Sequence, residues 1–245
     1  MNLKLTIQYD GTRYDGWQRQ GNTGNTIQGK LEGVLSRMAG EAVEIHGAGR
    51  TDAGVHAQGQ VASVRLPGTW EPGEVRAYLN RYLPEDIAVI GVEPAGERFH
   101  ARLNAVGKTY RYAIRLGDAP DVFRRKYQLR VEETLDLAAM ERAAAALTGR
   151  HDYRSFCSNR RFKKSTVRTV DAIRIVRRGD DLDLTFHGDG FLYHMVRILT
   201  GTLLEVGTGK RAPEEMAAIL AARDRSAAGP TAPPQGLTLV EVEYA

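Results

Sequence analysis

The run Gly47-Ala48-Gly49-Arg50-Thr51-Asp52-Ala53-Gly54-Val55-His56 sets one carboxylate, Asp52, two residues after a guanidinium and four before an imidazole. Three glycines in eight positions let the backbone take sterically restricted conformations and let another chain or a ring approach closely. Arg50 can pair with a phosphate or hold a carboxylate ionised. Asp52 is therefore a candidate nucleophile, in a turn suited to handling RNA. A simple turn cap is the competing reading, because Asp favours turns through hydrogen bonds to its own backbone. The local pattern leaves both open. A dinucleotide loop is excluded: Gly47, Gly49 and Gly54 are spaced G-x-G-x-x-x-x-G, and an alternating, strand-like pattern follows where a helix would have to open. Gly207-Thr208-Gly209-Lys210-Arg211 lacks both the first glycine and the Ser or Thr of a phosphate loop. It reads as a helix end.

Two other residues carry chemistry that their surroundings make conspicuous. Arg197 sits in the apolar run Phe191-Leu192-Tyr193-His194-Met195-Val196-Arg197-Ile198-Leu199, and a half-buried guanidinium is costly without a partner. Asp52 is one candidate for that partner. Tyr110 alternates with Thr109 and Arg111 on a short strand pattern, and it is read either as a core aromatic or as a ring that holds a base.

Charge is concentrated. Residues 154–168 hold Arg154, Arg160, Arg161, Lys163, Lys164 and Arg168 with no acidic residue, more positive charge than the whole chain's net +4. Phe156 and Phe162 interleave with these cations, the combination that tracking a backbone and stacking on RNA bases requires. A solvated basic loop is the alternative. Arg124, Arg125, Lys126 and Arg130 form a second cluster that adds weight to nucleic acid.

The elements that must position these groups follow from periodicity. Leu3, Leu5, Ile7 and Tyr9 define a strand, and Ile27, Leu31, Val34, Leu35 and Met38 a helix. Residues 43–45 and 58–66 read as strands flanking the Asp52 turn, 72–82 as a helix with Pro72 in its first turn, and 87–92 as a strand. From Lys108 the order restarts: a strand through Tyr110, Tyr112 and Ile114, a helix over 135–147, strands over 167–176 and 182–186, helices over 192–206 and 213–222, and a strand over 237–244. The repeated β-α-β-β-α-β order predicts an α+β protein of two ferredoxin-like units, residues 1–103 and 104–245, each with a mostly antiparallel sheet, and a central cleft between them. The first unit would carry the Asp52 turn and the second would complete the cleft.

At 245 residues, 42% hydrophobic and 26% charged, the chain is an ordinary globular protein in composition, which excludes disorder. A single cysteine, Cys157, excludes an internal disulfide framework and fits a reducing, cytoplasmic setting. The N-terminus reads as a strand, not a signal peptide, and no stretch approaches the ~18 apolar residues of a membrane span. Six scattered histidines lack metal-ligand spacing.

Several signatures together resemble the TruA-type tRNA pseudouridine synthases, nearly end to end: Tyr9-Asp10-Gly11-Thr12 with Gly16-Trp17-Gln18, Gly49 to His56, Phe99-His100-Ala101-Arg102, Lys108-Thr109-Tyr110, Gly190 to Arg197, and Pro233 to Leu239. The resemblance implies Asp52 as the nucleophilic aspartate, Tyr110 stacked on the target uracil, Arg197 ion-paired with Asp52, and Arg50 helping to hold the target nucleotide out of its stack. It further implies a homodimer acting on the anticodon stem-loop of tRNA, with no metal and no cofactor. Leu103, where many relatives place an aromatic, and the stretch 156–162 depart from the family pattern.

Converting uridine to pseudouridine breaks the N1–C1′ bond, turns the freed base and rejoins it through C5, so the base must first leave the helix. One carboxylate meeting C1′ as the bond loosens can suffice, as in glycosidases. The detached uracil must be kept from water, which an apolar wall including Leu192, Met195 and Val196 would serve. A pure RNA-binding protein, a nucleoside hydrolase and a metal enzyme are the rival readings. The first lacks the aromatic signature of RNA-recognition modules.

Overall fold

The computed structural model describes residues 1–159 and 164–245. The chain divides into two compact units, residues 1–106 with 238–245, and residues 107–237. Both are mixed α/β with mostly antiparallel strand pairing.

The first unit runs β1 (Asn2–Tyr9), α1 (Ile27–Ala39), β2 (Ile45–Gly47), β3 (His56–Arg65), α2 (Pro72–Tyr82) and β4 (Ile87–Pro94). Strict alternation in β1 turns Leu3, Leu5, Ile7 and Tyr9 to the core, each at most 4% exposed. β1 lies between β3 and β4, antiparallel to both. β2 pairs antiparallel with the far part of β3 through Ile45↔Val64 and Gly47↔Ala62. Helix α1 starts where Thr26 caps the Gly29 N–H at 3.1 Å and stops at Gly40 in the left-handed region. Between these ends Ile27, Leu31 and Leu35 recur on one face and are wholly buried, contributing roughly 1.5–3 kcal/mol each by removal from water. Helix α2 starts at Pro72, whose fixed φ and missing N–H suit a first helical position.

The second unit is built on β5 (Ala105–Leu116), β8 (Val167–Arg178) and β9 (Asp181–Gly188), in the order β5-β9-β8. Two short strands extend it: β6 (Leu129–Val131), parallel to the end of β5, and β7 (Gly149–Asp152), antiparallel to the start of β8. Helices α3 (Leu137–Ala146), α4 (Met195–Gly207) and α5 (Met216–Ala222) complete it. Tyr112, Ile114, Leu182, Leu184 and Phe186 from the strands, and Met140, Ala143, Ile198, Leu199 and Leu203 from the helices, have no exposed surface. The Gly207 turn ends α4 as the sequence predicts, with Gly209 at φ +72° and its N–H bonded to the Val206 carbonyl.

Several features differ from the sequence reading, among them β2, expected over 43–45 and found at Ile45–Gly47, and α5, which opens at Met216 after a 3₁₀ turn over Pro213–Glu215. β6 and β7 are unforeseen, being three and four residues long. Helix α4 opens at Met195 instead of Leu192, because His194 takes φ +62° and the preceding residues form a turn. The last strand, β10 (Leu237–Tyr244), matches its expected span but contributes Thr238–Ala245 to the first unit, where it runs parallel to β3 through Thr238↔His56 and Leu239↔Ala57. β1 holds one edge of β3, so β2 and β10 divide the other.

Candidate active site

Asp52 lies in the connection between β2 and β3, and the residues beside it explain how that turn is held. Thr51, Val55 and His56 are buried pegs, whereas Asp52 is half-buried and Arg50 is exposed. The Tyr9 hydroxyl lies 2.8 Å from Thr51 Oγ1 inside the core. Gln60 Nε2 donates to the Gly49 carbonyl at 2.9 Å and reaches the same Tyr9 oxygen at 3.4 Å. Burial pushes the Tyr9 phenol up to about 12 despite these two hydrogen bonds, so it stays neutral. The Trp17 N–H donates to the Thr51 carbonyl at 3.0 Å, the Gly54 N–H to Tyr14, and the Val55 N–H to the carbonyl of Asp52 itself at 3.1 Å. The Gly11 N–H donates to His56 Nδ1 at 3.1 Å, and Asp10 Oδ1 stands 3.2 Å from that nitrogen.

Two glycines are required by space. Gly16 has φ +90°, and a Cβ there would stand 2.7 Å from the Thr51 carbonyl oxygen. A Cβ on Gly47 would stand 2.5 Å from Cε2 of Trp17, whose indole is 1% exposed. The Tyr9–Thr12 and Gly16–Gln18 signatures thus form the bed on which the Asp52 turn rests. No local pattern in the sequence marks Tyr9, Trp17, His56 and Gln60 as the support of the turn. They lie inside or beside the glycine-bearing motifs, and only long-range pairing brings them to the turn.

In the second unit Tyr110 lies on β5, 8% exposed, with Phe191 edge-on at 5.3 Å between centroids. Leu192 and Met195 are buried beside the entry to α4, where the Met195 N–H donates to the Leu192 carbonyl at 3.0 Å. Val196 is also buried. Arg197, one residue further, is half-buried, and its Nε donates to the Ala232 carbonyl at 2.7 Å. The Ala232 N–H donates back to the Arg197 carbonyl at 3.0 Å. Nε is therefore engaged by protein, and the Ala232 carbonyl sets the direction of that N–H. Asp52 and Arg50 belong to the first unit; Tyr110, Leu192, Met195 and Arg197 belong to the second.

The basic segment is altered by the structure. Arg160, Arg161 and Lys163, with Phe162, lie outside the described residues. Phe156 has no exposed surface and packs edge-on against Tyr153 at 6.2 Å, which corrects the expectation that it interleaves as a stacking ring: it is core. Arg154 is half-buried, Lys164 is exposed, and Arg168 turns its Nη1 onto the carbonyls of Ser165 and Val167 at 3.0 and 2.6 Å. In the second cluster Arg124 bridges Asp121 and Asp181, and hydrogen bonds to those two carboxylates raise its pKa. Its charge is neutralised locally. No group of three or more His, Cys, Asp or Glu is placed to hold a metal ion among the described residues, and none of their helices is long and apolar enough to cross a membrane.

The first unit thus holds a half-buried carboxylate on a hydrogen-bonded turn, and the second a buried ring and a guanidinium bonded to backbone. The sequence profile of the tRNA pseudouridine synthases matches residues 5–104 and 143–245, and the chain belongs to that family. Among named relatives, tRNA pseudouridine synthase A of Bacillus sp. (strain KSM-64) is 51% identical over 228 residues, 93% of each chain. The proteins of the same name from Brevibacillus brevis and Moorella thermoacetica are each 46% identical, over 99% of both chains. A solved structure of a Cbf5-Nop10-Gar1 complex covers 97% of this chain and 48% of its own at 14% identity with a TM-score of 0.43, a likeness too slight to bear on the fold.

Proposed function

We propose that this chain isomerises uridine to pseudouridine in the anticodon stem-loop of tRNA, with Asp52 as the group that meets C1′. The observation that carries the reading is the turn itself. Thr51 is pinned by Tyr9 and Trp17, His56 by Gly11 and Gly49 by Gln60, while Asp52 between them is only half-buried. A turn that only reversed the chain would not need three separate elements to hold it still; a carboxylate that must meet one carbon atom does. In this reading Tyr110 stacks on the uracil, Arg197 is the ion-pair partner of Asp52, and Leu192 and Met195 keep the detached base from water. Arg50, exposed at the start of the turn, helps hold the everted nucleotide. Arg154, Arg160, Arg161, Lys163, Lys164 and Arg168 contribute charge toward the RNA backbone, Phe156 excepted from any stacking role.

The first unit's order β1-α1-β2-β3-α2-β4, with β4-β1-β3-β2 side by side and antiparallel, supports a ferredoxin-like unit, and β5-α3-β8-β9-α4 with β5-β9-β8 adjacent supports a second of the same plan. We take the working form to be a cytoplasmic homodimer that needs no metal or cofactor.

Tritium release from tRNA carrying C5-tritiated uridine tests the chemistry, because binding alone releases nothing and a nucleoside hydrolase would liberate free uracil instead. Asp52→Asn should bind tRNA like the native chain and release no tritium. Turnover within tenfold of wild type would remove Asp52 from the reaction.

A further inference from the structure

Residues 225–236 contribute no regular element beyond two short 3₁₀ turns, yet they lie along one side of α4 and are fastened to it repeatedly. The Gly229 N–H donates to Thr202 Oγ1 at 3.0 Å, and that hydroxyl donates in turn to the Ile198 carbonyl at 2.8 Å. At Gly201 a Cβ would stand 1.9 Å from the Pro230 carbonyl oxygen, so backbone meets helix with no room for any side chain. Arg197 and Ala232 exchange two hydrogen bonds. The buried Tyr112 hydroxyl, whose pKa burial raises against the opposing charge of Arg197, donates to the Pro233 carbonyl at 2.7 Å. Arg225 ties the segment to itself through the Ala228 carbonyl and Thr231 Oγ1, and Pro230, Pro233 and Pro234 stiffen it.

The fastenings fall at Arg197, Gly201 and Thr202, of which Arg197 and Gly201, four residues apart, share one face of the helix and Thr202 flanks it. They converge on a single functional side chain. If the segment were only a connection, it would need anchoring at its ends; here every anchor fixes where the Ala232 carbonyl lies, and that carbonyl holds Arg197 Nε. We propose that residues 228–236 are a strap that positions the Arg197 guanidinium, and that the buried Thr202 and Gly201 are positioning residues acting through it. This rests on the reading of Arg197 given above. It assigns a role to the Pro233–Leu239 signature as well, since its first carbonyl is the one that Tyr112 holds.

The test separates rate from affinity. Thr202→Val keeps the volume but removes the oxygen that accepts the Gly229 N–H; Thr202→Ser keeps that oxygen. Single-turnover pseudouridine formation should slow about ten- to a hundredfold in the valine variant, the range expected when a catalytic group is misplaced by about an ångström. Its Kd for tRNA should stay within twofold, and the serine variant should recover the rate. Gly201→Ala serves as the second variant. It favours the helix by propensity while its methyl displaces Pro230, and the same split is expected. A valine variant as fast as wild type overturns the strap, as does a Kd that rises in step with the fall in rate or a serine variant that fails to recover. Arg197→Lys is run alongside. Slowed turnover there with an unaffected valine variant overturns the strap alone, whereas an undiminished Arg197→Lys removes the role of Arg197 and the strap with it.

Discussion

Gly47→Ala is the sharpest perturbation of the Asp52 turn, because the added methyl has one place to go. Its carbon would stand 2.5 Å from Trp17 Cε2, 2.6 Å from Nε1 and 2.7 Å from Cζ2, about an ångström inside the ~3.5–4.0 Å of a comfortable carbon contact. The indole is 1% exposed, and its backbone N–H is bonded to the Thr51 carbonyl, so it can yield only by moving the turn. Overpacking of this kind costs roughly 1–3 kcal/mol. For a chain of this size each kcal/mol lowers Tm by about 2–4 °C, so a fall of about 2–12 °C is expected. Gly33→Ala is the matched control: it lies in the same unit, on the exposed side of α1, with nothing within 4 Å of its new methyl. There helix propensity alone acts and should stabilise by up to ~1 kcal/mol. Thermal unfolding followed by circular dichroism in tRNA-free buffer gives both values. Single-turnover tritium release at 25 °C, where the Gly47 variant remains folded, should show a rate loss that the control lacks. A Gly47→Ala protein melting within a degree of wild type, or a control that falls as far, would refute the reasoning.

Further outcomes follow from the same packing. The Tyr9 phenol sits near 12 in the fold against 10.0 unperturbed; its raised value means that its contribution to stability is complete below pH 10 and lost as pH climbs from 10 to 12. Tyr9→Phe should flatten the fall of Tm across that window, and an unchanged slope would deny the burial of the hydroxyl. Leu31→Ala empties a fully buried site on α1 and should cost about 2–5 kcal/mol by urea unfolding; less than 1 would place Leu31 outside the core. Neutralising Lys163 and Lys164 together should weaken tRNA binding and lower the log–log salt slope by roughly 0.7–0.9 for each phosphate left unneutralised. Phe156→Leu should leave that slope untouched while lowering Tm, and a changed slope would return Phe156 to the RNA.

Periodic elements were legible because a single face of each is buried. Helix α2 over Pro72–Tyr82 and strand β10 over Leu237–Tyr244 take their expected bounds, and α1 ends one residue past Met38, where the apolar repeat stops. Strands β6 and β7 were not legible. Leu-Arg-Val and Gly-Arg-His-Asp carry too few residues to alternate, and only pairing with β5 and β8 makes them strands. The candidate site divides in the same way. Asp52 and Arg197 announce themselves by a glycine-dense turn and by a charge in an apolar run. What holds them does not: Tyr9 and Thr51 are 42 residues apart, and Arg197 meets Ala232 across 35. Charge misleads for a related reason. Arg124 looks free in sequence, but Asp181, which quenches it, lies 57 residues on.

Strand β10 completes the first unit from beyond residues 107–237 in the sequence. Until Thr238 and Leu239 leave the ribosome, the stretch of β3 that follows the Asp52 turn, at His56 and Ala57, keeps an open row of peptide groups, a surface prone to stray pairing. The whole of 107–237 is therefore translated while the first unit is unfinished, and domain-by-domain folding from the N-terminus cannot deliver a finished Asp52 turn ahead of the rest. A chain translated only as far as residue 237 thus carries Asp52 beside a half-sealed sheet.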